Sequence, residues 1–280
     1  MSCIVRIVSA FLVLAMAGFL FTRAGTLAQF RTPVGDIDVE LFDADKPATV
    51  QNFLRYVRSG AYTNMLFHRW VPRFVVQGGG FRVATQSGGN VIDAISTFGT
   101  ITNEYATGRK FSNVYGTLAM ARVGGQTNSA SSQWFFNLAN NAPLDSVDGG
   151  FTVFGRVVRG TNTLNRFNNT AVSNGIYRLQ LEKPLDELPV LSTNPTYNDL
   201  LYVDISLLNI RVASIGRGRR EISWMSVSNK PNHVEFTTAF PAVWQALAST
   251  NGNGQTMKFV DSENTGPSRF YRVRIDYGGL

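Results

Sequence analysis

Residues 66–81 constrain the chain more than any other stretch: Leu66-Phe67-His68-Arg69-Trp70-Val71-Pro72-Arg73-Phe74-Val75-Val76-Gln77-Gly78-Gly79-Gly80-Phe81. An aromatic, a histidine and an arginine stand side by side. A phenylalanine follows after a proline, and a glutamine then leads into three glycines. The short apolar runs around it leave no room for a helix. The triple glycine fits turn positions that need φ > 0. A phosphate-binding loop does not fit, because no Lys-Ser/Thr follows the glycines.

Several chemistries are excluded early. The chain has one cysteine, Cys3, and two histidines, His68 and His233. Disulfides, a thiolate nucleophile and a cysteine-based metal site have no residues to use. Neither histidine lies in a nucleophile motif, so a Ser/His/Asp triad has no support. The formal net charge is +7, but the basic residues are scattered, with Arg217-Gly218-Arg219-Arg220 as the tightest cluster. No basic stripe or recognised module points to nucleic acid.

Residues 1–25 have the order of an export signal. Arg6 precedes an apolar run over 7–21, and Ala24, Gly25 and Ala28 supply small residues for cleavage. The run is short for a spanning helix, which needs about 20 residues. An uncleaved anchor is the alternative, and beyond this signal no membrane segment is expected. The mature protein is expected outside the cytoplasm, in the periplasm or the extracellular space.

The body of the chain reads as mainly β. Around the Pro33-Val34-Gly35-Asp36 turn, Ile37, Val39 and Leu41 alternate with Asp36, Asp38 and Glu40, which predicts a hairpin with a half-buried second strand. Pro47 opens a helix in which Val50, Phe53, Leu54 and Val57 share a face, and Ser59-Gly60 ends it. Short apolar runs near 74–76, 117–120, 134–138 and 151–158 read as strands of a barrel or sandwich. A short helix is expected over 162–167 and a strand over 202–210. Ile215-Gly216-Arg217-Gly218 reads as a linker to a small all-β module over 213–280, with strands at 222–227, 234–238, 258–260 and 270–275.

The central stretch resembles the cyclophilin family of peptidyl-prolyl isomerases. The matching residues are Phe67-His68-Arg69, Pro72, Phe74 and Gln77-Gly78-Gly79. A second block is Gly116-Thr117-Leu118-Ala119-Met120-Ala121-Arg122, followed by Asn128-Ser129-Ala130-Ser131-Ser132-Gln133-Trp134-Phe135-Phe136-Asn137. A third is Leu144-Asp145 with Phe151-Thr152-Val153-Phe154-Gly155-Arg156-Val157. They stand in family order over about residues 29–212. Ile101-Thr102-Asn103-Glu104 is similar to exported bacterial members. The resemblance implies a closed eight-stranded antiparallel barrel capped by two helices, over 26–212. It implies an isomerase of X–Pro bonds that needs no cofactor or metal and serves proline-containing polypeptides that fold outside the cytoplasm.

The chemistry suits such residues. X–Pro rotation crosses a barrier of about 18–20 kcal/mol, because the nitrogen lone pair is delocalised into the carbonyl. Shortening tens of seconds to milliseconds requires about 5 kcal/mol of transition-state stabilisation. By the resemblance, Arg69 faces the prolyl amide, where a permanently charged planar donor fork stabilises the twisted state electrostatically. Taken alone, Arg69 fits a surface arginine with a buried stem better, and only the surrounding motif reverses that reading. Phe74, Val75, Phe135 and Leu144 match the family's proline pocket. Gln77 and Gln133 match groups that hold substrate backbone and the arginine. Ala121, Arg122 and Val123 match the strand whose main chain pairs with the peptide, so their side chains are expected to matter little. Phe151 stands where His or Tyr is common, and His68 is expected to be structural.

Departures from the family pattern keep other functions open. Pro143 replaces an aromatic before Leu144, which predicts weak cyclosporin binding. Val75 replaces a common Met. With Phe151, these changes motivate an alternative: a non-catalytic module that binds proline peptides. A third reading gives residues 213–280 an adhesion or sorting role, on a weak similarity at Trp224 and Phe270-Tyr271-Arg272-Val273-Arg274 to modules that end exported bacterial proteins.

Overall fold

A computed structural model describes residues 26–208, 210–226, 231–239, 242–253, 255–262 and 268–275. The export-signal reading of residues 1–25 lies outside the described residues.

Strands β1 (Leu27–Thr32) and β2 (Gly35–Leu41) form the expected hairpin, closing with Thr32 opposite Gly35. Ile37, Val39 and Leu41 are buried against Phe30. Asp38 departs from the expected polar face. It is buried, accepts a hydrogen bond from Gln29 Nε2 at 2.8 Å and pairs with Arg159 Nε at 2.6 Å. A paired carboxylate tolerates burial where a lone one would not.

Helix α1 (Pro47–Arg58) begins at proline, whose missing N–H is not needed in a first turn. Val50, Phe53 and Leu54 are buried as the spacing predicts; Tyr56 is buried too, and Val57 only partly. The first turn is capped from a distant loop. Glu104 accepts hydrogen bonds from the main-chain N–H groups of Ala48 at 3.1 Å and Thr49 at 2.7 Å. Beside it Lys46 is buried, and its ammonium donates to the carbonyls of Glu104, Tyr105 and Thr107.

Further strands are β3 (Met65–Leu66), β4 (Arg69–Val71), β5 (Val75–Gly78), β6 (Phe81–Gln86), β7 (Gly89–Ala94), β8 (Thr117–Met120), β9 (Trp134–Asn137) and β10 (Val153–Arg159). Helix α2 (Thr161–Arg166) follows, close to the expected place. Then come β11 (Tyr177–Leu179), β12 (Leu188–Val190) and β13 (Tyr202–Leu207). Among the described residues eleven of these strands form one antiparallel sheet in the order β4-β5-β9-β8-β10-β2-β1-β13-β3-β6-β7. This hydrogen-bonded order is open, with β4 and β7 at its ends, and differs from the closed eight-stranded ring expected from the resemblance. Strands β11 and β12 pair with each other and pack beside β4, and Val190 of β12 also bridges to Leu200. Phe30 sits at the centre of the core, its ring 5.0 Å from both Trp134 and Phe136 and 5.9 Å from Phe53. The first two contacts are edge-on and the third is stacked, and such ring pairs add to the area that each ring removes from water.

The C-terminal strands are β14 (Ile210–Ser214), β15 (Arg220–Met225), β16 (Pro231–Thr237), β17 (Gln245–Asn251), β18 (Thr256–Asp261) and β19 (Phe270–Ile275). Among the described residues they form two three-stranded sheets, β14-β15-β18 and β17-β16-β19. Their own core contains Ile222, Trp224 and Val234. The stretch Ile215-Gly216-Arg217-Gly218 is not a linker. It is the turn of the β14–β15 hairpin, with Ser214 opposite Arg220 and positive φ at Gly216, Arg217 and Gly218. Gly-rich turns and linkers share a composition, and only strand pairing separates them.

Candidate active site

The site grows from an alternation across five strands. Arg69 faces Gln77, Gln77 faces Phe135, Phe135 faces Ala119, and Ala119 faces Val153. Directly opposed residues project to one side of a sheet, so these five form a single row. The neighbouring row of Trp70, Val76, Phe136 and Leu118 enters the main core. Consecutive aromatics at 134–136 therefore serve both sides: Trp134 and Phe136 inward, Phe135 outward. The outward row collects its own apolar cluster of Val75, Ala119, Phe135 and Val153, with Phe74, Ala121, Leu144 and Phe151 packed against it.

A cavity of about 200 Å³ opens on this cluster, lined by Arg69, Phe74, Val75, Gln77, Ala121, Arg122, Phe135, Leu144 and Phe151. Pockets for drug-sized ligands run to about 300–1,000 Å³; this one suits a single side chain. Larger clefts lie elsewhere: about 390 Å³ behind Trp70, and about 440 Å³ between Leu27 and the C-terminal strands. Neither contains Arg69, so size does not select the site; the convergence of two guanidinium groups, Arg69 and Arg122, with rings and branched chains does.

Local structure fixes the walls. Between β4 and β5, Phe74 N–H donates to Val71 O at 3.0 Å, and Arg73 has φ of 61°. Proline followed by positive φ is the pattern of a type II turn, and it lifts Phe74 onto the cavity. Asn141 donates from its side chain to Phe74 O at 2.8 Å. Asp145 accepts from the main-chain N–H of Asn113 at 2.8 Å, which ties down the short turn carrying Leu144. Phe151 N–H donates to Leu144 O at 3.0 Å, and its ring meets that of Phe135 edge-on at 5.9 Å. Pro143 stands exposed in the same turn, outside the cavity lining.

Arg69 and Arg122 both bring positive charge to the site, and Arg122 is paired with Asp148 at 3.4 Å. Arg69 Nε lies 2.7 Å from Glu187 Oε2, and the Arg69 guanidinium carbon is 5.9 Å from the centre of the Phe74 ring. Gln77 donates from Nε2 to Gln133 Oε1 at 2.7 Å, so Gln133 stands behind the lining rather than in it. His68 is buried next to Arg69. Burial, more than the neighbouring guanidinium, lowers its pKa to about 4, so the ring is neutral near pH 7. The glycines have two different causes. Gly79 has φ of +80°, as a turn glycine should. At Gly78, however, a Cβ would stand 2.7 Å from the Trp134 ring, and at Gly80 2.9 Å from His68 Cε1. Those two glycines make room for rings; they do not supply turn geometry.

Of the residues singled out from the sequence, Val123 stands apart: it is 55% exposed and does not line the cavity. Its N–H donates to Ser129 Oγ at 2.8 Å, and that of Ala121 to Gln133 O at 2.9 Å. Arg122 is more than a strand position. Its guanidinium lies 4.1 Å over the Phe151 ring and donates to Val147 O at 2.6 Å, so its side chain builds a wall. The sequence reading missed Glu187 and Asn141. Each acts through a contact distant in sequence, and no local pattern marks it.

Residues 27–194 match the family model "Cyclophilin type peptidyl-prolyl cis-trans isomerase/CLD". The chain is 33% identical over 171 residues to a peptidyl-prolyl cis-trans isomerase of Acinetobacter baylyi, covering 60% of this chain and 85% of that one. It is 38% identical over 150 residues to peptidyl-prolyl cis-trans isomerase B of Escherichia coli, covering 52% and 85%. A crystal structure of a Cryptosporidium parvum cyclophilin is similar with a TM-score of 0.46 and 25% identity, covering 66% of this chain and 98% of that one. The chain belongs to the cyclophilin-type peptidyl-prolyl cis-trans isomerases, and its reaction is the cis–trans isomerisation of X–Pro peptide bonds.

Proposed function

We propose that this isomerase is an exported bacterial type that speeds the folding of proline-containing polypeptides outside the cytoplasm, with Arg69 as its catalytic residue. The observation that carries the catalytic reading is the Arg69 guanidinium at a small apolar cavity, opposite Gln77, while the second lining arginine, Arg122, is buried against Phe151 and paired with Asp148. Phe74, Val75, Phe135, Leu144 and Phe151 grip the pyrrolidine without hindering rotation about its amide. Arg69 donates to the substrate carbonyl and favours the pyramidal nitrogen, whose lone pair has left conjugation. This is preorganised electrostatic stabilisation, with no proton transferred. The apolar run over 7–21 supports export.

We also read the barrel as closed through segment 65–71. Supporting this, only Phe67 and His68 separate β3 from β4, and their N–H groups reach Leu201 O and Gln77 O, each at 3.0 Å. Residues from Ile210 onward form a second module that docks partners or directs location. Deleting it should leave isomerisation intact.

Chemical-shift mapping with an Xaa-Pro peptide tests the site. Shifts should cluster on Phe74, Phe135, Leu144 and Phe151. Shifts confined to the groove behind Trp70 would contradict it. Fractionation of cells making the tagged chain tests export; retention in the cytoplasm would overturn that part.

A further inference from the structure

We infer that Glu187 is a positioning residue for Arg69, holding its guanidinium at the cavity. The inference rests on Arg69 being the catalytic residue. Glu187 lies outside the three sequence blocks, on the segment that leads into β12. Its main-chain carbonyl accepts from Trp70 N–H at 2.8 Å, which locks it onto the outer edge of β4 beside Arg69. From there its carboxylate comes within 2.7 Å of Arg69 Nε. It does not line the cavity, so it reaches substrate only through the arginine.

Other restraints on Arg69 are weak. Gln77, its cross-strand neighbour, is committed to Gln133. Phe74 offers a ring face, which limits tilt but not reach. Among the described residues Glu187 is the only carboxylate paired with Arg69. An arginine side chain has four rotatable bonds and considerable rotamer entropy. Anchoring Nε removes much of that freedom while leaving the terminal NH₂ groups for the substrate carbonyl. The cost of losing the anchor should appear in the chemical step rather than in peptide binding, which the apolar walls provide.

The test uses the full chain and an exchange assay that separates kcat from KM, on Glu187→Ala, Glu187→Gln and Arg69→Ala variants and the double alanine variant. Truncation at Glu187 keeps the main-chain bond to Trp70, so the fold should persist, as checked by melting temperature. Glu187→Ala should lower kcat about tenfold with KM within about twofold. Glu187→Gln, which keeps an acceptor oxygen, should recover most of the loss. In the Arg69→Ala background, removing Glu187 should change nothing more. Unchanged kcat in Glu187→Ala, or an equal loss with and without Arg69, would overturn the proposal. Full activity in Arg69→Ala alone would instead overturn the catalytic reading beneath it.

Discussion

Gln77 and Gln133 face each other through a single hydrogen bond, Nε2 to Oε1 at 2.7 Å, joining the strand that carries the cavity floor to the residue before β9. The pair sits between Arg69 and the buried His68. A Cβ at Gly80 would stand 3.0 Å from the Gln133 amide, so the pair is also packed in place.

Breaking this pair should reduce turnover without unfolding the chain. Gln77→Ala and Gln133→Ala should each lower kcat/KM about tenfold, and the double variant little further. The two act as one unit, and contacting residues couple by about 0.5–3 kcal/mol. Exchange kinetics on the four proteins measure this. Additive losses would show that the two glutamines work separately.

Glu104 should matter for stability and not for chemistry. It caps α1 through Ala48 and Thr49, and it lies beside the buried Lys46. Glu104→Ala should cost about 1–3 kcal/mol, since a cap and charge-assisted hydrogen bonds are both lost. Urea denaturation reads this, while activity per folded molecule should hold.

His68 should make stability depend on acid. Its folded pKa, about 4, lies below the ordinary value of 6.5. Between those values the unfolded chain binds the proton and the folded chain does not. The contribution is therefore complete above pH 6.5 and is lost as pH falls toward 4. Two and a half units correspond to roughly 3 kcal/mol. The difference in stability between parent and His68→Asn should shrink across that window. A constant difference from pH 7 to 4 would contradict a buried neutral ring.

Pro143 should weaken cyclosporin binding. It is exposed and adds no ring to the cavity lining. Inhibition of the parent should be weak, and Pro143→Trp should strengthen it about tenfold or more, because a large ring buries substantial apolar area. Equal inhibition of both proteins would remove position 143 from the account.

Much of this was legible in the sequence because it is local. The β1–β2 hairpin follows from alternation and α1 from Pro47 and helical spacing, while the cavity lining follows from the family resemblance that three blocks of sequence carry. What was not legible depends on distant partners. Asp38 looked like an outer residue until Gln29 and Arg159 paired with it. Gly78 and Gly80 looked like turn glycines until Trp134 and His68 filled the space above them. The 215–218 stretch looked like a linker until β14 and β15 paired across it. Arg122 reads from sequence as a main-chain position, and only the fold brings Phe151 beneath its guanidinium.

The most direct test of the central claim is cis–trans exchange in an Xaa-Pro peptide, followed by exchange NMR with the parent and with Arg69→Ala. The account predicts clear acceleration by the parent and a loss of about 100-fold or more in the variant, the scale of removing one preorganised transition-state donor. Acceleration that survives in a folded Arg69→Ala protein would contradict the role of Arg69. Peptide binding without any acceleration by the folded parent would make this domain a proline-peptide binding module.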